Sequence, residues 1–464
     1  MSPGGGATMK VKFIEAIRYA VDMKVLDEDV FRFFLENFGC ARKVYNLYVS
    51  HLYEALEKEG YTGGTGLPAI KLPEVTAFKK KYPYLKDADS LGLSNAKIAF
   101  EDAVKRYNDQ SDHTTYTERA LRRDRSGTEA LSFRGLSGMP KFHAKSRGYF
   151  SYTTNCQYPA EGKKLKQPTI RLSGNRLHLP KIRDDIELIV HRKMPEYAMI
   201  KNATVSMDGK GRIYVSIGYI REMEMDLHIR EAAMSKDEEK IRDLKFLGLD
   251  YSQPDLYVDS EGRKANYPHY YRKSEEKLAK LQRKLSLMEQ GSKNYEKKRK
   301  EIRKAHTRIA NQRKDFLHKL SRELTDSYDV IVVEDINLRD MGECLKLGKN
   351  LHDNGFGMFR NFLSYKLERK GSVLVKVDRW YASTKTCHVC GRKEPDIGLE
   401  TGEWTCPGCG TSHQRDANAA KNIEAEGRRT FSVFYAEWLE KDRKAREKAE
   451  KLSAGRRKKK KSKV

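Results

Sequence analysis

The sequence has no long apolar run and little cysteine, and both absences narrow the class of protein. No stretch approaches the 18 consecutive apolar residues of a membrane-spanning helix, and the first residues lack the apolar region of a signal peptide. The 464 residues include seven cysteines, an odd number. Without a secretory signal, that number argues against a disulfide framework and favours a reducing compartment such as the prokaryotic cytoplasm.

What the sequence has in excess is positive charge. The formal net charge is +26 and the isoelectric point is about 9.5. From Lys441 to the end there are 13 Lys and Arg against 3 Asp and Glu, a net +10, so the remaining residues still carry +16. A basic body with 25 Tyr and 17 Phe suits a polyanionic partner, most simply nucleic acid. The alternative is that the charge serves solubility alone.

The length allows one to three domains, and the residue patterns change along the chain. We expect residues 1–8 to be a leader and Met9 to be the natural start. Two hairpin signals, at Ser173–Asn175 and Asp208–Gly211, predict a small antiparallel β-barrel that the N-terminal strand closes. Asp27 is a predicted helix cap, and the apolar spacing after it predicts a helical insert. The predicted segments are the barrel (9–26 and 121–240), the insert (27–120), an α/β region (241–386 and 415–440), a cysteine region (387–414) and a disordered basic tail (441–464).

Three acids stand at the ends of predicted elements in the second half of the chain. The apolar run Phe246–Leu249 leads directly to Asp250, and the run Val330–Val333 leads to Glu334. Such runs predict buried strands, and Asp416 stands where a helix is predicted to begin. Because functional groups collect at the carboxyl ends of strands, we expect the three carboxylates to converge.

Three convergent carboxylates indicate a site for divalent metal ions. Hard oxygen ligands hold Mg²⁺, which keeps coordination positions open for water and phosphate oxygens. Two such ions, roughly 4 Å apart, can activate water and stabilise the leaving oxygen of a phosphodiester. In this interpretation Asp250 bridges two Mg²⁺ or Mn²⁺ ions and Glu334 and Asp416 flank them. Arg415 would neutralise phosphate charge. The alternative for each acid is a solubilising residue at the end of a strand.

Four of the cysteines have the spacing of a zinc ribbon. The pairs Cys387-x-x-Cys390 and Cys406-x-x-Cys409 are separated by 15 residues, and a glycine follows each pair directly. A thiolate knuckle needs this spacing, and glycine lets the backbone turn so that its amides approach the sulfurs. Four cysteine ligands leave no open coordination position, so we predict one structural Zn²⁺. Redox dithiols are the alternative, but the thioredoxin-like βαβ context is missing.

Several basic and aromatic residues are candidates for contacts with nucleic acid. Lys79 and Lys80 belong to a charge run in the helical insert, and Arg313, His318 and Lys319 lie just before the second acid-bearing strand. A solvated helix face is the alternative for both groups. The further candidates, with core packing as the alternative for the first four, are Tyr45, Asn46, Tyr48, Phe78, Lys385 and Arg415.

The second half of the chain resembles a known family. Gly248–Asp250, Val333–Asp335, the paired cysteines and Arg415–Ile423 (Arg-Asp-Ala-Asn-Ala-Ala-Lys-Asn-Ile) together resemble the nuclease region of TnpB proteins. TnpB proteins are transposon-encoded RNA-guided nucleases and are ancestral to the type V CRISPR effectors. The resemblance covers residues 245–423 closely and the N-terminal half only in layout.

The resemblance implies a fold, a reaction and partners. The fold would be multidomain α+β, with an RNase H-like (RuvC) α/β nuclease domain, an inserted Cys₄ zinc ribbon that binds target nucleic acid, and an N-terminal wedge barrel interrupted by a helical recognition lobe. The reaction would be Mg²⁺-dependent cleavage of double-stranded DNA next to a short flanking motif. A structured guide RNA, from the protein's own locus or CRISPR-derived, would direct it, with the protein a monomer or dimer on that RNA. Asp250, Glu334 and Asp416 match the family's catalytic acids, and the paired cysteines match its zinc ligands.

Several alternatives stay open at this level. A free-standing TnpB, a miniature CRISPR effector and an intermediate between them would share these residues. A guide-directed repressor that binds without cutting would have lost an acid, a transposase would need a strand-transfer site, and a guide-free junction nuclease would not need the helical insert and ribbon. We therefore expect an RNA-guided DNA endonuclease, in which pairing with the guide selects the sequence.

Overall fold

The computed structural model describes most of the chain. It covers residues 8–145, 148, 150–159, 165–235, 237–336, 355–394, 396–398 and 400–461, with the backbone alone at 442 and from 445 onward. The predicted leader, except Thr8, and Cys344 lie outside the described residues. The chain divides into two compact units, one formed by Lys12–Glu222 and the other by the rest of the chain. Among the helices of the described part, none has the length and apolar character that crossing a membrane requires.

The helices of the first unit lie almost entirely within the residues of the predicted helical insert. The predicted cap is confirmed: the Asp27 side chain accepts hydrogen bonds from the backbone N–H groups of Asp29 and Val30. Apolar residues at helical spacing, such as Phe34 and Phe38, are buried against the neighbouring elements. The helices are α1 (Glu28–Lys58), α2 (Val75–Lys81), α3 (Ser90–Asn108) and α4 (Glu118–Arg125), with 3₁₀ turns at Pro83–Lys86 and Phe133–Gly135.

The N-terminal strands form a curled antiparallel sheet. They are β1 (Thr8–Val21), β2 (Ser151–Asn155), β3 (Arg171–Ser173), β4 (Arg176–His178), β5 (Ile186–Ile189), β6 (Met199–Met207) and β7 (Ile213–Asp226). Both predicted hairpins, β3–β4 and β6–β7, are confirmed. The order is β2-β6-β7-β1-β5-β4-β3, so β1 lies in the middle. In the described part of the chain β1 joins β7 to β5, the sheet ends at β2 and β3, and closure of these strands into a barrel stays a prediction.

The second unit contains a four-stranded sheet in the order β11-β10-β8-β9. β8, β10 and β11 are parallel, and β9 pairs with β8 in the antiparallel direction. α7 and α8 form a helical hairpin that is broken at Gly291, whose φ is 89°. The elements are α5 (His228–Ser235), α6 (Glu238–Asp243), β8 (Phe246–Ser252), β9 (Leu256–Asp259), α7 (Arg272–Ser286), α8 (Lys293–Ser327), β10 (Val330–Glu334), α9 (Phe356–Arg369), β11 (Leu374–Val377), β12 (Glu403–Thr405), β13 (Ser412–Gln414) and α10 (Arg415–Lys461).

Helices cover both faces of this sheet, as expected for parallel strands. On one face, Leu249 and Val333 pack with residues of α8 and α9. On the other face, Phe246 and Val332 pack with residues of α5 and α10. The mixed α+β class of the prediction is confirmed, and the sheet places the carboxyl ends of β8, β10 and β11 at a common edge.

The C-terminal helix is longer than the sequence pattern predicts. We expected a short amphipathic helix around Phe431–Leu439 and a disordered tail from Lys441. The backbone instead forms one helix from Arg415 to Lys461. The physical reason is composition: Ala, Lys, Arg and Glu dominate the tail and are strong helix formers, so the segment needs no apolar stripe to be helical.

Candidate active site and four-cysteine cluster

Asp250 and Glu334 lie side by side at the carboxyl edge of the four-stranded sheet. β8 and β10 are parallel, and their register pairs Leu249 with Val333, the residues that precede the two acids. On each of these two neighbouring strands, an acid directly follows the paired residue. The sequence predicts that β8 stops before Asp250, but the strand continues to Ser252 because its last residues pair with β9.

Both acids face the side of the sheet that α10 covers. Side chains two residues apart in a strand share a face. Phe246 and Val332 lie in the apolar cluster with α10, and Asp250 and Glu334 stand an even number of positions further along the same strands. The two carboxylates therefore stand at the ends of the rows of apolar side chains by which β8 and β10 pack against α10.

Asp416 reaches the same place from α10. Gly248 lets the helix approach closely, since a Cβ at that position would lie 2.1 Å from the carbonyl oxygen of Ala420. Asp416 is one turn before Ala420 and so lies on the same face of the helix. Asp250 is two residues beyond Gly248 on the same face of β8. The close contact thus brings the first turn of α10 over the acid edge.

The pKa of Asp250 depends on its burial and on both of the other acids. Burial raises the pKa of Asp250 well above its usual value, and the nearby carboxylates of Asp416 and Glu334 raise it further, while Arg415 opposes them. Burial also raises the pKa of Glu334, to about 6. A buried carboxyl group surrounded by like charges is a place where a cation is strongly favoured.

Arg415 supplies part of that positive charge in this structure. Its Nε and Nη2 atoms donate to Asp416 Oδ1 at 2.9 and 2.7 Å. Among the described residues, the four paired cysteines are the one group of three or more potential ligands whose donor atoms all lie within 4.8 Å of one another. In the described part of the chain, the three carboxylates do not form such a group. Carboxylate oxygens are the ligand type that Mg²⁺ and Mn²⁺ prefer, and the binding of such an ion by these acids stays a prediction.

The four cysteines form a compact tetrad of sulfur atoms. Cys387 Sγ lies 3.7 Å from Cys409 Sγ, and Cys390 Sγ lies 3.6 Å from Cys406 Sγ. A tetrahedral Zn–S distance of about 2.3 Å places neighbouring sulfurs about 3.8 Å apart, so the tetrad fits zinc.

Local turns preorganise this tetrad. Gly391 and Gly410 have φ of 75° and 73°, a region that glycine adopts without strain. Their backbone N–H groups donate to the carbonyl oxygens of Cys387 and Cys406 at 2.9 and 2.8 Å. The predicted knuckle turns are therefore confirmed.

Two buried asparagines, which the sequence analysis did not single out, tie the cysteine cluster to the acid edge. Asn418 Oδ1 accepts the backbone N–H of His388 at 3.0 Å, and Asn418 Nδ2 donates to the Thr386 carbonyl at 2.7 Å. Asn422 Nδ2, one turn later, donates to the carbonyls of Ser383 and Thr386. The spacing of the two asparagines, four residues apart in the first turns of a helix, was the available signal, because asparagine is unfavourable there without a partner.

The aromatic and polar candidates of the first unit take part in packing. Tyr48 is fully buried and donates its hydroxyl proton to the Pro73 carbonyl, and Phe78 packs edge-on against it. Tyr45 is also buried, and Asn46 holds the backbone of residue 143 through two hydrogen bonds. These contacts are of the kind that core packing, the stated alternative, would give, and a nucleic-acid role for these residues stays a prediction. Of the two lysines, Lys79 donates to Ser90 Oγ and Lys80 is exposed.

The candidates of the second unit lie on two different elements. On α8, His318 stacks on Phe362 with ring centroids 3.8 Å apart, Lys319 forms an exposed ion pair with Asp315, and Arg313 is half-buried. Lys385 is exposed in the segment that leads to the first cysteine knuckle. A nucleic-acid role for these residues stays a prediction.

Two protein families match the second half of the chain. The family described as "Cas12f1-like, TNB domain" matches residues 356–423. The family OrfB_IS605, described as "Probable transposase", matches residues 228–344. The two matches together span the sheet with its acids and the cysteine cluster.

Individual relatives extend the match. A protein of Streptomyces pristinaespiralis named "Putative RNA-guided DNA endonuclease" is 33% identical over 62% of this chain and 67% of its own length. InsQ of Escherichia coli K12, which carries the same description, is 28% identical over 64% of this chain and 70% of its own. The "TnpB-like protein L79" of Acanthamoeba polyphaga mimivirus is 35% identical over 28% of this chain and 26% of its own.

Proposed function

This chain belongs to the TnpB/OrfB family of RNA-guided DNA endonucleases, and from that premise we propose that it cuts double-stranded DNA next to a short flanking motif. The observation that carries the proposal is the convergence of Asp250, Glu334 and Asp416 on one face of the sheet. All three acids are present, which favours cutting over binding alone.

Asp250, Glu334 and Asp416 are the residues that would hold Mg²⁺ or Mn²⁺. When bound, a pair of these ions supplies activation of the attacking water and charge stabilisation at the leaving oxygen of the phosphodiester. The protein contributes a half-buried edge at which the packing of α10 on the sheet holds the three carboxylates. Arg415, which pairs with Asp416, has the planar donor geometry that phosphate oxygens accept.

A guide RNA would select the DNA sequence by base pairing, while the protein holds the backbones. The net charge of +26 supports a large, salt-dependent contribution from phosphate contacts. A groove of 530 Å³ between α7 and α8 supports it locally, because it is lined by one acid, Glu301, and by four basic side chains. They are Lys273, Lys277, Lys304 and Arg308. The guide would come from the protein's own locus or from a CRISPR array, with the protein a monomer or dimer on it.

The finer domain assignments belong to the same proposal. The four-stranded sheet with its helices would be the RNase H-like (RuvC) nuclease domain (241–386 and 415–440). The curled N-terminal sheet would be the wedge (9–26 and 121–240), and α1 to α3 would lie in the recognition lobe (27–120). The cysteine segment (387–414) would bind target nucleic acid around one structural Zn²⁺, which Cys387, Cys390, Cys406 and Cys409 would hold.

The test uses the full-length protein with the RNA that copurifies with it. Sequencing that RNA identifies its variable end, and a plasmid carrying the complementary sequence beside a randomised flank is the substrate. We expect cleavage that requires the RNA and Mg²⁺ and stops with EDTA.

Three outcomes would overturn the proposal. RNA-directed binding without cutting would indicate a repressor, cutting without RNA would indicate a guide-free nuclease, and joined strands would indicate a transposase.

A further inference from the structure

The turn after β11 lies at the same edge of the sheet as the acids. Val377, the last residue of β11, is in register with Glu334 on β10. Neighbouring strands are about 4.8 Å apart, so β11 lies about 10 Å from β8, which carries Asp250. Residues that follow Val377 therefore lie close to the acids. A few nucleotides of single-stranded nucleic acid, or fewer, would span the distance.

Hydrogen bonds hold this turn in one conformation. Asp378 Oδ1 accepts the backbone N–H of Trp380 at 2.7 Å, and the Asp378 carbonyl accepts the N–H of Tyr381 at 3.0 Å. The Ser383 N–H then donates a hydrogen bond to the Tyr381 carbonyl at 2.7 Å. An aspartate that closes its own turn in this way restricts the backbone independently of any ligand.

Tyr381 fixes the direction in which the turn bends. Its half-buried ring packs against the apolar cluster that includes α10, and burial raises the pKa of its hydroxyl, with Glu426 of α10 adding to the effect. The turn thus bends toward the face of the sheet that carries the acids.

Trp380 is the residue that this turn presents to solvent, with 85% of its surface exposed. The other two tryptophans, Trp404 and Trp438, are half-buried. An indole ring on a turn of fixed conformation, beside the acid edge, offers a large flat apolar surface on which the aromatic face of a ligand can stack. Its neighbour Arg379 is exposed as well and carries the charge that a phosphate would accept.

We propose that Trp380 stacks on an unpaired base of the DNA strand that enters the acid site, and so positions the scissile phosphate. Base–aromatic stacking tolerates any sequence, because every base has a π-face. That tolerance matches an enzyme whose sequence selection comes from a guide. This inference rests on the proposed function, since it assumes that the strand at the acid edge is single-stranded DNA.

The experiment measures stacking directly rather than cleavage. The full-length protein with its copurified RNA carries Asp250→Asn to prevent cutting, and the probe is target DNA with 2-aminopurine placed at successive positions of the displaced strand. We expect quenching at one or two adjacent positions. Trp380→Ala should abolish that quenching and weaken binding of a single-stranded oligonucleotide about 5- to 100-fold, the range that alanine substitution of a stacking residue gives.

Two further variants make the result specific. Trp380→Phe keeps an aromatic face and should retain the quenched positions. Tyr197→Ala removes an aromatic side chain that is 97% exposed in the first unit, and should leave the quenching and the affinity unchanged.

Equal quenching in Trp380→Ala and the parent protein would overturn the inference, and so would a Trp380→Phe variant as weak as Trp380→Ala. The 2-aminopurine quenching does not depend on cleavage. If the wild-type protein binds RNA and DNA but never cuts, the proposed function is wrong, and the positions of quenching still test the role of Trp380.

Discussion

The cysteine cluster is built from residues close together in the chain, whereas the acid edge is built from residues far apart. The four cysteines lie within 387–409, and their two glycine turns need no other part of the protein. The acids are 84 and 82 residues apart, and the packing of two parallel strands and a helix brings them together. A local pattern therefore suffices for the first site, and only the complete fold forms the second.

The two sites also differ in their electrostatics before any ion binds. Two pairs of sulfur atoms are 3.6 and 3.7 Å apart, and all four sulfurs lie within 4.8 Å of one another. Burial raises the pKa of Asp250, the nearby carboxylates of Asp416 and Glu334 raise it further, and Arg415 pairs with Asp416. The cysteine cluster is thus preorganised for an ion, whereas the acid edge holds carboxylates that repel one another. Substitutions in the two sites should therefore change stability in opposite directions.

Loss of a cysteine ligand should have the largest effect. We expect Cys406→Ser to abolish zinc binding and to unfold the cysteine segment, because structural zinc contributes on the order of 10 kcal/mol in small zinc domains. Elemental analysis of the purified protein and its thermal unfolding measure both effects. Cys156→Ser, which changes a half-buried thiol outside the cluster, is the matched control. Full zinc content in Cys406→Ser would refute the assignment of this ligand.

Loss of the central acid should have the next largest effect, and on the reaction rather than on folding. We expect Asp250→Asn to slow DNA cleavage about a thousandfold, since catalytic metal ions contribute several kcal/mol to stabilising the transition state. Binding of the guide RNA should not change. Asp335→Asn is the control, because Asp335 follows Glu334 directly but pairs with Lys376. Cleavage within tenfold of wild type would exclude Asp250 as a metal ligand.

The link between the two sites should give a smaller change. Asn418 is 2% exposed, and Asn418→Ala leaves the His388 N–H without its partner, while the Thr386 carbonyl keeps its hydrogen bond from Asn422. An unsatisfied buried group costs about 1–3 kcal/mol, so we expect a loss of stability of that size with zinc still bound. Denaturant unfolding measures it, and the exposed Asn311→Ala on α8 is the control. Equal stability of the two variants would mean that the asparagine does not hold the knuckle.

Sequence patterns predicted those features that short-range physics determines. The strands that lead to Asp250 and Glu334, the Asp27 cap and the cysteine turns each depend on a few neighbouring residues, and the structure confirms them. The metal ligation by the acids stays a prediction, because no pattern and no contact in the protein alone identifies the ion.

Features that depend on distant partners could not be predicted. The position of β1 in the middle of its sheet is set by pairs such as Val21 with Leu188, and the sequence around either residue gives no sign of the other. The exposure of Trp380 is equally invisible, since an apolar residue after a buried strand is normally buried as well. The asparagine link was missed for the same reason: its partners lie about 30 residues away.

The smallest predicted effect is a gain in stability, opposite in sign to the losses predicted above. It tests most directly the contrast between the cysteine cluster and the acid edge. The pKa of Glu334 is about 6 in the folded protein, against 4.5 for the ordinary group, so the folded state holds this proton more tightly than the unfolded chain. Stability of the magnesium-free protein should therefore fall as pH rises from about 4.5 to about 6 and stay lower above that. Glu334→Gln removes the charge and should be more stable than wild type by about 1 kcal/mol near neutral pH, after allowance for solvent screening.

The gain should vanish at about pH 4.5 and below, where Glu334 is mostly protonated in both states. Urea unfolding of both proteins across this pH range, in magnesium-free buffer, measures the difference. Adding Mg²⁺ should stabilise wild type more than Glu334→Gln, because only the carboxylate gains a charged ligand bond. A Glu334→Gln variant that is less stable than wild type near neutral pH would mean that the Glu334 carboxylate, like the cysteine cluster, stabilises the fold and that its burial carries no net cost.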